Sequence, residues 1–315
     1  MRTKAVLSAV PIVFAVALIG CGGGSSSDKK AVTGKGGAPN SPEVKKLIRE
    51  TFGPNDKAKS GNISGIIDIN VKGLKRYKEP IQISVVGPFT DSGGTPEAAF
   101  NVSLAMRGGI LGGDMYLKGN DALIGLGSTA YRIPDPIAGP LRRPLESSNN
   151  ALDALMNVFS IAPDRWAKDP RIVGNERVGG IDTIHGTATL DTKAFFLDLS
   201  KLTKTLTSLR ITDITGLPRV VDSTARAALA RSVKSTSGDV YTGAKDHVLR
   251  RAKFSMLIKP SAKDRKILGG FTSIKVVGNL DVSDVGSTQT IKVPAHRGSY
   301  SALQVSLDAL AEAVR

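Results

Sequence analysis

Along most of this chain, apolar and polar residues take turns one by one, and that period of two decides the fold. Ile63, Ile67, Ile69 and Val71 alternate with Ser64, Asp68, Asn70 and Lys72. The same pattern recurs with Ile81, Ile83 and Val85, and again with Ala98, Phe100, Val102, Leu104 and Met106. Met115 and Leu117 face away from Asp114, Tyr116 and Lys118, and Gly119-Asn120-Asp121 then turns the chain into Ile124 and Leu126. Far downstream, Phe254, Met256 and Ile258 alternate with lysines and serine, and Ile274, Val276, Leu280 and Val282 do so with Lys275, Asn279 and Asp281. Successive strand side chains point to opposite faces, so each run is a half-buried strand. So many neighbouring runs predict a large antiparallel sheet with one wet and one apolar face.

Helical periods interrupt the alternation. Ser41 can cap and Pro42 suits the first helical position, while Val44, Leu47, Ile48 and Phe52 share a face before Gly53. Leu152, Leu155, Met156 and Phe159 form a second stripe, and Pro163 with Trp166 marks a short turn. Phe195, Phe196, Leu199 and Leu202 follow a capping Asp191; Ala225, Leu229 and Val233 lie on one side of an Ala-rich stretch; Leu303, Leu307, Leu310 and Val314 close the chain. Helices segregated onto one face of a long antiparallel sheet make an α+β fold.

The N-terminus sets location. Arg2 and Lys4 precede an uncharged apolar run, Ala5 to Ile19, which leads through Leu18-Ile19-Gly20 to Cys21. This is the layout of an export signal, and its apolar run falls short of the roughly 20 residues that span a bilayer. Leu-Ile-Gly-Cys resembles the bacterial lipobox, which implies cleavage before Cys21 and lipidation of its thiol. Cys21 is the single cysteine, so no internal disulfide and no thiolate site is expected. Gly, Ser and Lys dominate the next stretch. The chain therefore divides into a signal peptide (1–20), a lipidated cysteine with a flexible tether (21–40) and one folded domain (41–315), anchored at the extracytoplasmic face of the cell membrane. A tether of that composition spans roughly 25 Å on average.

Charge and motifs narrow the function classes. The net charge is +15, which draws a surface toward anionic headgroups or acidic polymers, and an export signal argues against nucleic acid. Catalytic and metal-binding signatures are missing: there is no His-Glu-x-x-His and no Gly-x-Ser-x-Gly, and the three histidines, His185, His247 and His296, lack ligand spacing. Gly125-Leu126-Gly127-Ser128 leads into Tyr131-Arg132-Ile133-Pro134, not into a helix, and reads as a turn of the sheet instead of a dinucleotide loop. Asp239 and Asp246 read as surface groups. No enzyme activity and no cofactor are expected.

At Gly174-Asn175-Glu176-Arg177-Val178-Gly179-Gly180-Ile181-Asp182-Thr183-Ile184-His185 the chain resembles the G-x-E-x-V-x-G-x-x-T-x-H hairpin of the LppX/LprG lipoproteins of actinobacteria, relatives in shape of the LolA/LolB carriers. The order of parts agrees, from lipobox and tether to late strands ending in Ile291-Lys292-Val293-Pro294. The chain is long for that family, with extra residues around 134–144 and 206–236. The resemblance implies a half-barrel whose concave face, roofed by helices, holds the acyl chains of a lipid or glycolipid such as a palmitate ester. It further implies carriage within the cell envelope or periplasm and an envelope transporter as a partner. The lining would then be Ile67, Ile69, Ile83, Val85, Phe100, Val102, Leu104, Met106, Met115, Leu117, Ile124, Met156, Phe159, Phe196, Phe254, Met256, Ile274 and Val276. Met106, Met115, Met156 and Met256 all fall on apolar faces, as adaptable linings favour. The alternative is an anchored interaction module whose half-barrel is filled by its own side chains and whose basic surface binds a protein or acidic glycan.

Overall fold

The computed structural model describes residues 38–52, 58–75, 77, 79–91, 95–106, 109–119, 121–134, 165–208 and 222–306. Two meanders meet edge to edge in it. The first runs β1 (Ser60–Lys72), β2 (Ile81–Asp91), β3 (Pro96–Met106), β4 (Gly109–Lys118), β5 (Asp121–Leu126) and β6 (Thr129–Arg132). The second runs β7 (Ala167–Val178), β8 (Ile181–Leu190), β9 (Val233–Gly243), β10 (Leu249–Ile258) and β11 (Ser273–Ser283). β11 pairs with β1, and β12 (His296–Gly298) adds to β6, giving one 12-stranded sheet in the order β12-β6-β5-β4-β3-β2-β1-β11-β10-β9-β8-β7. The sheet is curved and open, a half-barrel of the expected class. It is mixed, not purely antiparallel, because β12 runs parallel to β6.

Register carries the alternation across the strands. Ile67 lies opposite Ile83, Ile83 opposite Leu104, and Val276 sits between Ile69 and Met256. These side chains share one face and are buried together with Phe89, Phe100 and Phe271 in one apolar cluster. A one-residue slip of any strand would send its whole apolar set to water, which fixes the pairing.

Helices cover this face. Asp191 accepts hydrogen bonds from the amides of Lys193 and Ala194 at 2.9 and 3.0 Å, capping α2 (Thr192–Ser208), whose Phe195, Phe196 and Leu199 are buried. Asp222 caps α3 (Ser223–Ser232), which buries Ala225, Ala228 and Leu229. Val233, expected on this helix, begins β9 instead: a β-branched residue fits the extended backbone better than the helix end. Short helix α4 (Ala262–Ile267) follows β10, and α5, over 300–306, buries Leu303.

The late segment expected to end as a strand at Ile291-Lys292-Val293-Pro294 has no strand geometry. Val293 packs instead on Tyr116, Leu123 and Ala130, and the carbonyl of Ile291 accepts from Lys118 Nζ at 3.1 Å. Tyr116, expected on the wet face, is therefore buried. Gly125 to Ser128 turns from β5 to β6, with Gly127 at φ +60°. Cys21, Met156 and Phe159 lie outside the described residues. Among the described residues, no helix is long and apolar enough to cross a membrane.

Candidate functional site, a cleft beneath the first helix

Helix α1 (Pro42–Phe52) begins as its sequence requires: Pro42 takes the first helical position and Ser41 Oγ accepts from the amide of Val44 at 3.4 Å. Its apolar face, Val44, Leu47, Ile48 and Phe52, looks onto the end of the sheet formed by β7 to β10. Polar ties hold both helix ends. At the start, the Asn40 amide donates to the Pro170 carbonyl at 2.9 Å, and Asn40 Nδ2 to Asp169 Oδ1 at 3.3 Å. At the far end, the Thr51 and Thr242 hydroxyls meet at 2.9 Å and Glu50 pairs with His247 Nδ1 at 2.9 Å.

Between these ties the sheet offers little bulk. Gly186 and Ala188 of β8, Gly238 and Val240 of β9 and Ala252 of β10 lie under the helix. A helix fixed at its ends over glycine and alanine cannot close onto the strands, and a cavity of about 130 Å³ remains. Trp166, Leu190 and Phe195 wall one end and Phe254 forms part of the floor. Trp166 is itself held, edge-on to Phe195 at 5.2 Å and donating Nε1–H to Asp198 Oδ2 at 3.1 Å. Asp198 is buried, and Lys201 at 2.9 Å with Arg165 at 3.6 Å balances its charge.

The expected lining falls elsewhere in the same face. Ile67, Ile69, Ile83, Val85, Phe100, Leu104, Leu117, Phe196, Met256, Ile274 and Val276 are all buried in the central cluster; Ile67 and Val276 are 0% exposed. Val102, Met115 and Ile124 are half-buried against it, and Met106 ends β3. Phe254 of the expected lining borders the cleft, while the residues just named, other than Met106, do not. The cleft residues of β7 to β9 escaped the sequence reading because glycine and alanine interrupt the greasy alternation there. Small residues at inward positions, facing an amphipathic helix, were the available signal.

Behind the cleft floor, on the other face of the sheet, the hairpin pattern explains itself. His185 Nδ1 lies 2.8 Å from Glu176 Oε1 and Nε2 lies 2.9 Å from Asp239 Oδ1, which ties β7, β8 and β9 together. Thr183 Oγ1 donates to the Glu176 carbonyl at 2.7 Å, and Gly179 and Gly180 make the turn at φ +55° and +80°. The Asp239 hydrogen bond, with Glu176 beside it, holds the imidazole of His185 above its ordinary pKa against the opposing effect of burial. His185, expected on the solvated face of the hairpin, is thus on that face but buried, because Tyr241 stacks on it and carboxylates flank it. Asp239, expected as a solvated surface group, is one of those carboxylates. Desolvation, with the Glu176 and Asp239 charges, pushes Tyr241 up to about 12. Among the described residues, no group of three or more His, Cys, Asp or Glu is placed to hold a metal ion.

Neither a family model nor a curated protein sequence matches the chain. Among solved structures it is similar to LprF from Mycobacterium bovis, with 14% identity over 82% of this chain and 100% of that one, at a TM-score of 0.37. It is similar to the Mycobacterium tuberculosis lipoprotein LppX at 14% identity, over 80% and 99% of the two chains, with a TM-score of 0.37. A DUF1329 family protein from Desulfovibrio piger follows at 13% identity, 78% and 92% coverage and a TM-score of 0.20. LprF and LppX are mycobacterial lipoproteins of the LppX/LprG family, the family that the hairpin at 174–185 resembles.

Proposed function

We propose that the protein is a lipoprotein, anchored through Cys21 at the extracytoplasmic face of the membrane, that takes an acyl chain of a lipid into the cleft beneath α1 and carries it within the cell envelope. The observation that supports this is the unfilled apolar space between a helix tied at both ends and a floor of glycine and alanine. A cavity of about 150 Å³ with apolar walls stays dry and accepts a benzene-sized guest, so a cleft of about 130 Å³ suits part of an alkyl chain. Each Å² of apolar surface buried there contributes about 25 cal/mol. A long chain therefore gains several kcal/mol without any polar contact. Among the described residues, those lining the cleft include no nucleophile beside a base, so holding, not turnover, is what their chemistry supports.

A specific observation favours a second reading. The middle of the sheet is filled by its own buried side chains, as in an interaction module that needs no guest. Mass spectrometry of organic extracts from the purified full chain, with titration of a fluorescent fatty acid, separates the two. Under the carrier reading, acyl chains are recovered and Ala252→Trp, which fills the cleft, abolishes uptake while the fold is kept. No extractable lipid together with no fatty-acid binding by the wild type would overturn it and leave the interaction module.

A further inference from the structure

The residues of α1 and α2 that face away from the cleft share a character that neither the core nor the cleft explains. On α1, Lys45, Lys46 and Arg49 are exposed on the side opposite Val44 and Leu47. On α2, Leu197 is 47% exposed, with Lys193 and Lys201 one turn before and one turn after it. Positions four apart share a helix face, so Leu197 lies between Lys193, which is exposed, and Lys201, whose ammonium is held by Asp198 at 2.9 Å. Both helices border the same cleft, through Leu47 and Phe195, and both pack on the same apolar face of the sheet.

We propose that this helical side docks on an anionic lipid bilayer, with Lys45, Lys46 and Arg49 meeting headgroups and Leu197 entering the interface beside Lys193. The inference rests on the reading of Cys21 as a lipid anchor and of the cleft as an acyl-chain site, and it adds the surface and orientation through which that site meets the membrane. Helix α1 begins 21 residues after Cys21 in the sequence, so it is the first described element to follow the anchor. A basic face with an apolar residue at its centre matches an anionic interface, where lysine stems lie along the apolar zone and their heads reach outward. The acidic groups on α1 do not cancel the match. Glu50 is turned to His247, its pair with Lys46 at 3.7 Å is exposed and weak, and Glu43 lies at the helix start by Ser41.

The docked orientation also places the cleft directly beneath the helix that touches the membrane.

The test uses the full chain carrying Cys21→Ser, which cannot be acylated, with vesicles of phosphatidylcholine alone or mixed with phosphatidylglycerol. The leader is common to every variant, so the readout is the preference for the anionic vesicles. Each basic residue at an anionic surface contributes about fivefold in affinity, so Lys45→Glu/Lys46→Glu/Arg49→Glu should reduce that preference by at least about a hundredfold. Leu197→Ser should weaken binding to both kinds of vesicle. Lys72→Glu/Lys253→Glu/Lys275→Glu changes the net charge equally on the opposite face of the sheet and should keep most of the preference. An unchanged preference in the α1 variant, or an equal loss in the sheet-face variant, overturns the docking surface. Fatty-acid binding without vesicles is measured alongside: its absence in the Cys21→Ser parent counts against the cleft reading, while a vesicle result as above counts against docking alone.

Discussion

The imidazole of His185 lies flat on the ring of Tyr241, with centroids 4.4 Å apart and planes 12° from parallel, while both its nitrogens face carboxylate oxygens. A carboxylate only accepts, so both contacts are hydrogen bonds when the ring carries both protons. Its folded pKa is raised, chiefly by Asp239. A raised value means that the stabilisation is fully present below the ordinary histidine pKa of 6.5 and is lost as pH rises through the higher folded value. Thermal midpoints of wild type and His185→Phe should therefore differ most below pH 6.5 and converge above the folded value. At the acidic end we expect a difference of about 1.5–3 kcal/mol, that of hydrogen bonds to charged groups. A constant or widening difference across that window would show that the ring acts by packing alone.

The centre of the sheet behaves as core. Leu104 is 7% exposed and packs with Ile83 and Phe100. Leu104→Trp should cost about 1–3 kcal/mol by overpacking, and Ile67→Ala about 2–5 kcal/mol through the void it leaves. Ser103→Ala should cost less, because its hydroxyl bond to Ser84 lies on the other face and is only half-buried. Denaturant midpoints decide. A Leu104→Trp variant as stable as wild type would place empty space in the middle of the sheet.

These two regions show what the sequence made legible. Strands β1 to β5, β10 and β11 could be read because large apolar residues alternate with polar ones over most of their length, with a glycine such as Gly278 only at single inward positions, and the same regularity assigns their inward faces. The cleft could not be read in the same way. Its floor is marked by missing bulk at Gly186, Ala188, Gly238 and Ala252, and absence of side chains carries no periodic signal. Which residues form a packed core and which border a cavity depends on where α1 lands, and contacts set that through Asn40 and Thr51. The parallel partner β12 was equally hidden, since three residues, His296–Gly298, are too few to alternate.

The far tie of α1 gives a separate prediction. Thr51 and Thr242 share a hydrogen bond between buried hydroxyls, and Thr51 Oγ1 also donates to the Leu47 carbonyl at 2.7 Å. Thr242→Val keeps the shape and removes one partner, which leaves the Thr51 hydroxyl its bond to the helix. The cost in global stability should be about 1 kcal/mol. Opening of α1 should change more than that average suggests, so hydrogen exchange of the amides over 45–51 should quicken while those of β1 and β11 stay as slow as in wild type. Uniform quickening throughout the sheet would mean that α1 does not open separately.

The last prediction turns on Gly278, which faces Ile67 on one side and Phe254 on the other. The ring of Phe254 occupies the space that a side chain at this position would take: a Cβ there would lie 2.0 Å from Phe254 Cε1. No positive φ is involved, so Gly278→Ala strains no backbone and must instead displace the ring. The atom in the way is the far end of a side chain that borders the cleft, and the cleft is the nearby empty volume. The ring should swing into it. Stability should then fall by no more than about 1–2 kcal/mol, since the ring stays buried, while fatty-acid affinity falls because the floor has risen into the site. Gly278→Ala/Phe254→Leu, with a shorter side chain, should recover binding. If Gly278→Ala destabilises strongly and binds as wild type does, the ring has nowhere to go and the cleft is not the space that receives it.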